Sequence, residues 1–141
     1  YNKKNKLQKN HFNNKNLEKD KFLIKQKIKK LKEKNFQICL FGTGHSALTF
    51  VNILNIQNQL DLIVDDDKNK FKMVLPGTNL KITNSNNLKN LDKIIILLGV
   101  NYESEKKIIS KIKKLNKKVK YFSVYKNSKF NLFKNEKFKK N

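Results

Sequence analysis

The stretch Phe41-Gly42-Thr43-Gly44-His45-Ser46-Ala47 has the spacing Gly-x-Gly-x-x-Ala, which defines a phosphate chemistry when it joins a strand to a helix. Gly42 permits a tight turn, Gly44 lets a ligand approach the backbone with no Cβ in the way, and Ala47 lets helix and strand pack closely. The helix that follows offers N–H groups and a positive dipole to an anion. Asp65 comes 23 residues after Gly42, at the end of the next apolar run, where an acid accepts hydrogen bonds from ribose hydroxyls. Asn101 and Tyr102 follow a later apolar run at its carboxyl end, the side on which open α/β sheets bind ligands. The same turn also suits a fold that keeps it for packing and binds nothing there, and both readings stay open at this level.

Individual residues divide in the same way. His45 and Ser46 open the helix: His45 can donate to a phosphate or serve as a plain helix-start residue, and Ser46 suits capping or phosphate contact. Ser46 lies outside any Gly-x-Ser-x-Gly elbow, so no nucleophile and no catalytic residue is assigned. Tyr102 can stack on a base or a sugar, or pack against a helix start. Asp65, Asp66 and Asp67 are consecutive, and neighbours in an extended chain point to opposite sides, which argues against a metal site. Asp65 is the ribose candidate, Asp66 lies beside it in the candidate site, and Asp66 and Asp67 form the turn. Cys39 is the single cysteine, set among Ile and Leu, which excludes an internal disulfide and suits a buried inert thiol.

The elements that must position these residues follow from periodicity. Leu17, Phe22, Leu23 or Ile24, Ile28 and Leu31 recur at three-to-four spacing and predict an amphipathic helix ending near Asn35. The runs 36–41 and 94–98 are short and apolar and predict buried strands, and 60–64 predicts a second strand; 80–83 predicts an edge strand and 119–124 the last one. Helices are predicted over 45–56 and 103–117, with a short one at 85–90 capped by Ser85. Pro76 and Gly77 preset a turn ending at Thr78. Strands alternating with helices predict an α/β, Rossmann-like fold: a mostly parallel sheet of about five strands with helices on both faces, preceded by the amphipathic helix.

Charge separates the chain into three parts. All 33 basic residues are lysine against 11 acids, a net charge of +22. Residues 1–36 carry 13 lysines and 3 acids, 37–105 carry 6 and 7, and 106–141 carry 14 and 1. The expected organisation is a mobile basic lead-in at 1–16, the Rossmann-like domain at 17–125 and a basic tail at 126–141. Lysine flanks could hold nucleic acid through phosphates, but there is no arginine for bidentate forks and no aromatic–basic alternation for stacking. A coding bias toward Lys and Asn accounts for the flanks without a nucleic-acid role. No run of about 18 apolar residues suggests a membrane span. The opening residues lack the apolar core of a secretory leader, so a cytoplasmic location is expected.

Taken together, Gly42 to Ala47, Val64 to Lys70 (an Asp-x-x-x-x-Lys stretch), Leu75-Pro76-Gly77-Thr78 and Asn101-Tyr102 resemble the C-terminal domain of sugar C-methyltransferases over residues ~17–125. The predicted helix before the glycine turn is similar to the linker helix of that family. The resemblance implies a module that helps form a nucleotide-sugar cleft, with Pro76, Gly77 and Thr78 bordering it. Methyl transfer from S-adenosylmethionine is then the work of a separate methyltransferase domain, which is the implied protein partner. The zinc-binding segment's cysteines that the family carries, and the methyltransferase domain's cofactor motif and catalytic residues, do not occur in this sequence. Without them the sequence reads as a fragment, a split subunit or a stand-alone relative, and its start at Tyr1 rather than Met suits the tail of something longer. The turn Gly42-Thr43-Gly44-His45-Ser46 departs from the Ala-Pro-Ala-Lys-Gly-like turn of the family. The functional expectation is therefore a nucleotide or nucleotide-sugar binding accessory domain. The alternatives are a small dinucleotide-dependent oxidoreductase-like protein and a nucleic-acid binder.

Overall fold

The computed structural model describes residues 17–125 and 128–131. The lead-in at 1–16 and most of the tail at 126–141 lie outside the described residues.

Helix α1 (Leu17–Glu33) leads into strand β1 (Gln37–Phe41), followed by α2 (His45–Leu54), β2 (Leu62–Val64), β3 (Ile82–Thr83), β4 (Ile94–Leu98), α3 (Glu105–Leu115) and β5 (Lys120–Ser123). All four strand pairings are parallel, and the order across the sheet is β3-β2-β1-β4-β5. The expected α/β, Rossmann-like architecture is what the chain adopts. β1 and β4 share the longest register, Gln37 opposite Ile94 through Phe41 opposite Leu98. They are the two strands with continuous apolar runs, and they lie at the centre of the sheet, where both faces are covered.

Side chains alternate across these strands and build two cores. Ile38 and Leu40 of β1, with Ile95 and Leu97 of β4, pack on one face against Ile24 and Ile28 of α1 and Phe50, Val51 and Leu54 of α2. Cys39 and Phe41, with Ile94, Ile96 and Leu98, pack on the other face against Ile109 and Ile112 of α3. Both helices of the first face close on an asparagine in the left-handed region, Asn35 at φ 67° and Asn55 at φ 53°. Phe36 N–H returns to Leu31 O at 3.0 Å and Ile56 N–H to Val51 O at 3.2 Å, which satisfies carbonyls at the helix ends. Asparagine tolerates this backbone better than other side chains.

Three details differ from the sequence reading. Phe22 is 60% exposed rather than on the inner stripe, because it lies about 200° round the helix from the buried Ile24. Residues 85–88 form a single 3₁₀ turn capped by Asn84, whose Oδ1 accepts from Asn86 N–H at 3.0 Å, so the capping residue is Asn84 and not Ser85. The edge strand β3 is shorter than expected, and it carries an outer antiparallel ribbon. Val74 bridges Lys81, Leu75 N–H donates to Leu80 O at 3.0 Å, and Ile82 N–H donates to Met73 O at 2.7 Å.

Candidate functional site

In a parallel sheet every strand ends on the same edge. In the order β3-β2-β1-β4-β5 the chain moves outward one way from β1 and then returns to its other side, so the crossover point lies between β1 and β4. Ligands of open α/β sheets bind at that point, outside the strand ends.

Two glycines meet there. Gly42 has φ +97°, and a Cβ on it would lie 3.0 Å from the carbonyl carbon of Gly99 and 3.1 Å from its oxygen. Gly99, which ends β4, donates its N–H to Phe41 O at 2.8 Å. A Cβ on Gly99 would lie 2.5 Å from the Cβ of Ala47. The first glycine and the small residue of the motif are thus consumed in seating β1, β4 and α2 against each other.

Gly44 is different. Its φ of −70° and ψ of 173° suit any residue, and a Cβ built on it meets nothing within 4 Å. Neither backbone strain nor packing demands glycine at this position. It is the N-cap of α2, gives no side-chain cap, and no acid occupies the first turn. The helix therefore opens toward free space at Gly44 with no acid of its own in the first turn, the nearest carboxylate being that of Asp65 on Thr43. His45 is exposed and Ser46 is half-buried at this opening.

Asp65 turns toward the glycine turn. Its Oδ2 accepts from Thr43 N–H at 2.9 Å, from Thr43 Oγ1 at 2.7 Å and from Lys70 Nζ at 3.2 Å, and its Oδ1 accepts from Asp67 N–H at 2.9 Å. Thr43 is nearly buried by this arrangement. Burial pushes the Asp65 carboxyl up, but donation from Asp67, Thr43 and Lys70 outweighs it and holds the group below its ordinary value. Only Oδ1 keeps acceptor capacity.

Asp66 joins three elements: Oδ1 accepts from Ser85 N–H at 2.9 Å, after β3, and Oδ2 from Lys111 Nζ of α3 at 2.7 Å. Burial again opposes ionisation, and Lys111 with Ser85 lowers the group overall. Asp67 caps a 3₁₀ turn by accepting from Asn69 N–H at 3.0 Å. Among the described residues no group of three His, Cys, Asp or Glu is placed to hold a metal ion.

Asn101 caps the 3₁₀ turn Tyr102–Ser104, accepting from Ser104 N–H at 3.0 Å, and Tyr102 is 63% exposed beside the crossover point. The Gly42–Ser46 turn, Asp65, Asp66, Asn101 and Tyr102 therefore share the carboxyl edge of the sheet. Pro76, Gly77 and Thr78 do not. Their turn closes with Thr78 N–H on Leu75 O at 3.1 Å, precedes β3, and packs Gly77 against Gln57, which follows α2 and precedes β2. That places the turn on the amino edge, across the sheet from the glycine motif.

Two participants were not assigned to the site from the sequence. Lys70 belongs to the site through Asp65, and its signal was the Asp-x-x-x-x-Lys spacing. Glu105, at the start of α3, is 2% exposed with both oxygens hydrogen-bonded, to Ser123 Oγ and, at 2.7 Å, to Ser128 Oγ. Nothing in the local pattern around Glu105 announced it.

An all-parallel sheet with a glycine turn at its crossover point defines a Rossmann-like α/β domain. Within that class, the C-methyltransferase C-terminal domain family matches residues 4–125, and the chain belongs to that family. No curated protein matches the chain significantly. No helix among the described residues is long and apolar enough to cross a membrane.

Proposed function

We propose that this C-terminal domain of a C-methyltransferase holds a nucleotide sugar by its diphosphate, as an accessory to a separate methyltransferase domain. Gly44 is the observation that carries the reading. A glycine that neither backbone nor packing requires, at the uncapped start of a helix, leaves room for a ligand oxygen to reach the amides of His45 and Ser46. Thr43, Asp65 and Lys70 fix the turn from behind, so the amides are aimed before the ligand arrives and little ordering cost falls on binding. Tyr102 offers an exposed ring to a base or sugar across the crossover point, and Asn101 holds the turn that carries it.

The amides favour a ligand with phosphate. S-adenosylmethionine supplies a methyl group where it is bound, but it has no phosphate for the amides. Its ribose diol would also have to share what Asp65 has left on Oδ1, so these residues do not fit it. A dinucleotide and a nucleotide sugar both bring a diphosphate and a ribose, and both can be gripped by the diphosphate without that acid. The resemblance to sugar C-methyltransferases favours the nucleotide sugar of the two. Isothermal titration calorimetry with UDP-glucose, NAD⁺ and S-adenosylmethionine tests the reading. Heat of binding is expected with UDP-glucose alone, and preference for either of the other two would overturn it.

A further inference from the structure

We propose that Glu105 is a positioning residue. Through one buried carboxylate it couples the turn carrying Asn101 and Tyr102 to the chain that follows β5. The inference adds to the nucleotide-sugar reading a device that sets the crevice wall, and only its consequence for ligand affinity rests on that reading.

Glu105 directly follows the 3₁₀ turn Tyr102–Ser104 and begins α3, so its backbone continues the candidate site while its side chain is 2% exposed. An acid buried to this degree is tolerated only when its oxygens are satisfied. Here they are satisfied from a single place. Ser123 Oγ, at the end of β5, donates to Oε1, and Ser128 Oγ donates to Oε2 at 2.7 Å. Each hydroxyl also accepts a backbone N–H two residues on, from Tyr125 at 3.1 Å and from Phe130 at 3.1 Å. A hydroxyl has one proton to give, so both relays run in one direction, from amide to hydroxyl to carboxylate, and each bond polarises the next.

The described residues around the relays bond to one another. Ser123 N–H donates to Phe130 O at 2.9 Å, Asn131 bridges Ser123 in parallel, and Asn131 Nδ2 donates to Tyr125 O at 2.9 Å. Val124 N–H joins this segment to Leu98 O at 3.0 Å, at the end of β4 and next to Gly99. Ser128 (fully buried) and Asn131 (2% exposed) are polar groups that this arrangement must satisfy in place. Removing a hydroxyl at 128 leaves a carboxylate oxygen without its partner one residue from the site turn. The relief open to Glu105 is to move, and Tyr102 to Ser104 move with it.

The test uses the whole chain in its native state and compares Ser128→Ala with Ser128→Thr, which keeps the hydroxyl. The amide NMR signals of Tyr102, Glu103 and Ser104 are expected to shift and to exchange hydrogen at least fivefold faster in the alanine variant, and to return toward wild type in the threonine variant. UDP-glucose affinity is expected to fall about five- to tenfold in Ser128→Ala while the fold stays intact by circular dichroism. Unchanged Tyr102–Ser104 amides in a folded Ser128→Ala protein would overturn the coupling. So would equal perturbation by alanine and threonine. Coupled amides in a protein that fails to bind UDP-glucose at all would sustain the role of Glu105 and refute the ligand reading instead.

Discussion

Gly99 and Ala47 approach so closely that a Cβ added to Gly99 would stand 2.5 Å from the Cβ already on Ala47. The contact joins the end of β4 to the first turn of α2 and seats the helix start over the crossover point. Its atoms are backbone and Cβ, with no flexible side-chain end that can swing away.

Gly99→Ala should therefore destabilise the domain by about 1–3 kcal/mol, the usual cost of overpacking a closed contact. For a chain of this size the melting temperature should fall by roughly 3–15 °C, read by circular dichroism. A variant melting with wild type would mean that α2 is free to shift.

Asp65 should make stability depend on acid pH. Its folded-state value lies below the ordinary 3.8, so the stabilisation is fully present above that value and is lost as pH falls through the folded one. Asp65→Asn, which keeps the shape but not the charge, should lower stability at pH 7, and the gap to wild type should narrow as pH drops below about 4. Denaturant melts across pH 2–7 check this, and a gap independent of pH would mean that Asp67, Thr43 and Lys70 do not hold the Asp65 charge in the folded state.

Gly77 should matter to folding and not to ligand. Its φ is +80°, and alanine there should cost about 1–2 kcal/mol from backbone conformation alone. Its turn lies on the amino edge, so UDP-glucose affinity should stay within twofold of wild type. A large loss of affinity with little loss of stability would return the Pro76–Thr78 turn to the cleft.

The parts of the fold legible in sequence were those fixed by local physics. Strands β1 and β4 announce themselves as apolar runs stopped by Gly42 and Gly99, and α1 by the spacing of Ile24, Ile28 and Leu31. The site was legible as positions and not as orientations. Asp65 stands where an acid is expected, yet which way its carboxylate turns depends on Thr43 and Lys70, and periodicity carries no information about side-chain direction at a strand end. The Pro76–Thr78 turn was recognisable as a turn, but its edge of the sheet is decided by the outer ribbon at Met73–Leu75, a pairing made only in three dimensions. Glu105 was invisible for a similar reason. Its partners lie 18 and 23 residues away, and a Glu opening a lysine-rich helix reads as a solvated acid.

The most direct test of the central claim is a calorimetric titration of UDP-glucose into wild type and Gly44→Val. Because Gly44 already has a backbone open to valine and faces empty space, the variant should melt within a few degrees of wild type. The account predicts at least a tenfold loss of affinity, as the new side chain fills the approach to the helix amides. Equal affinity in the two proteins would contradict it.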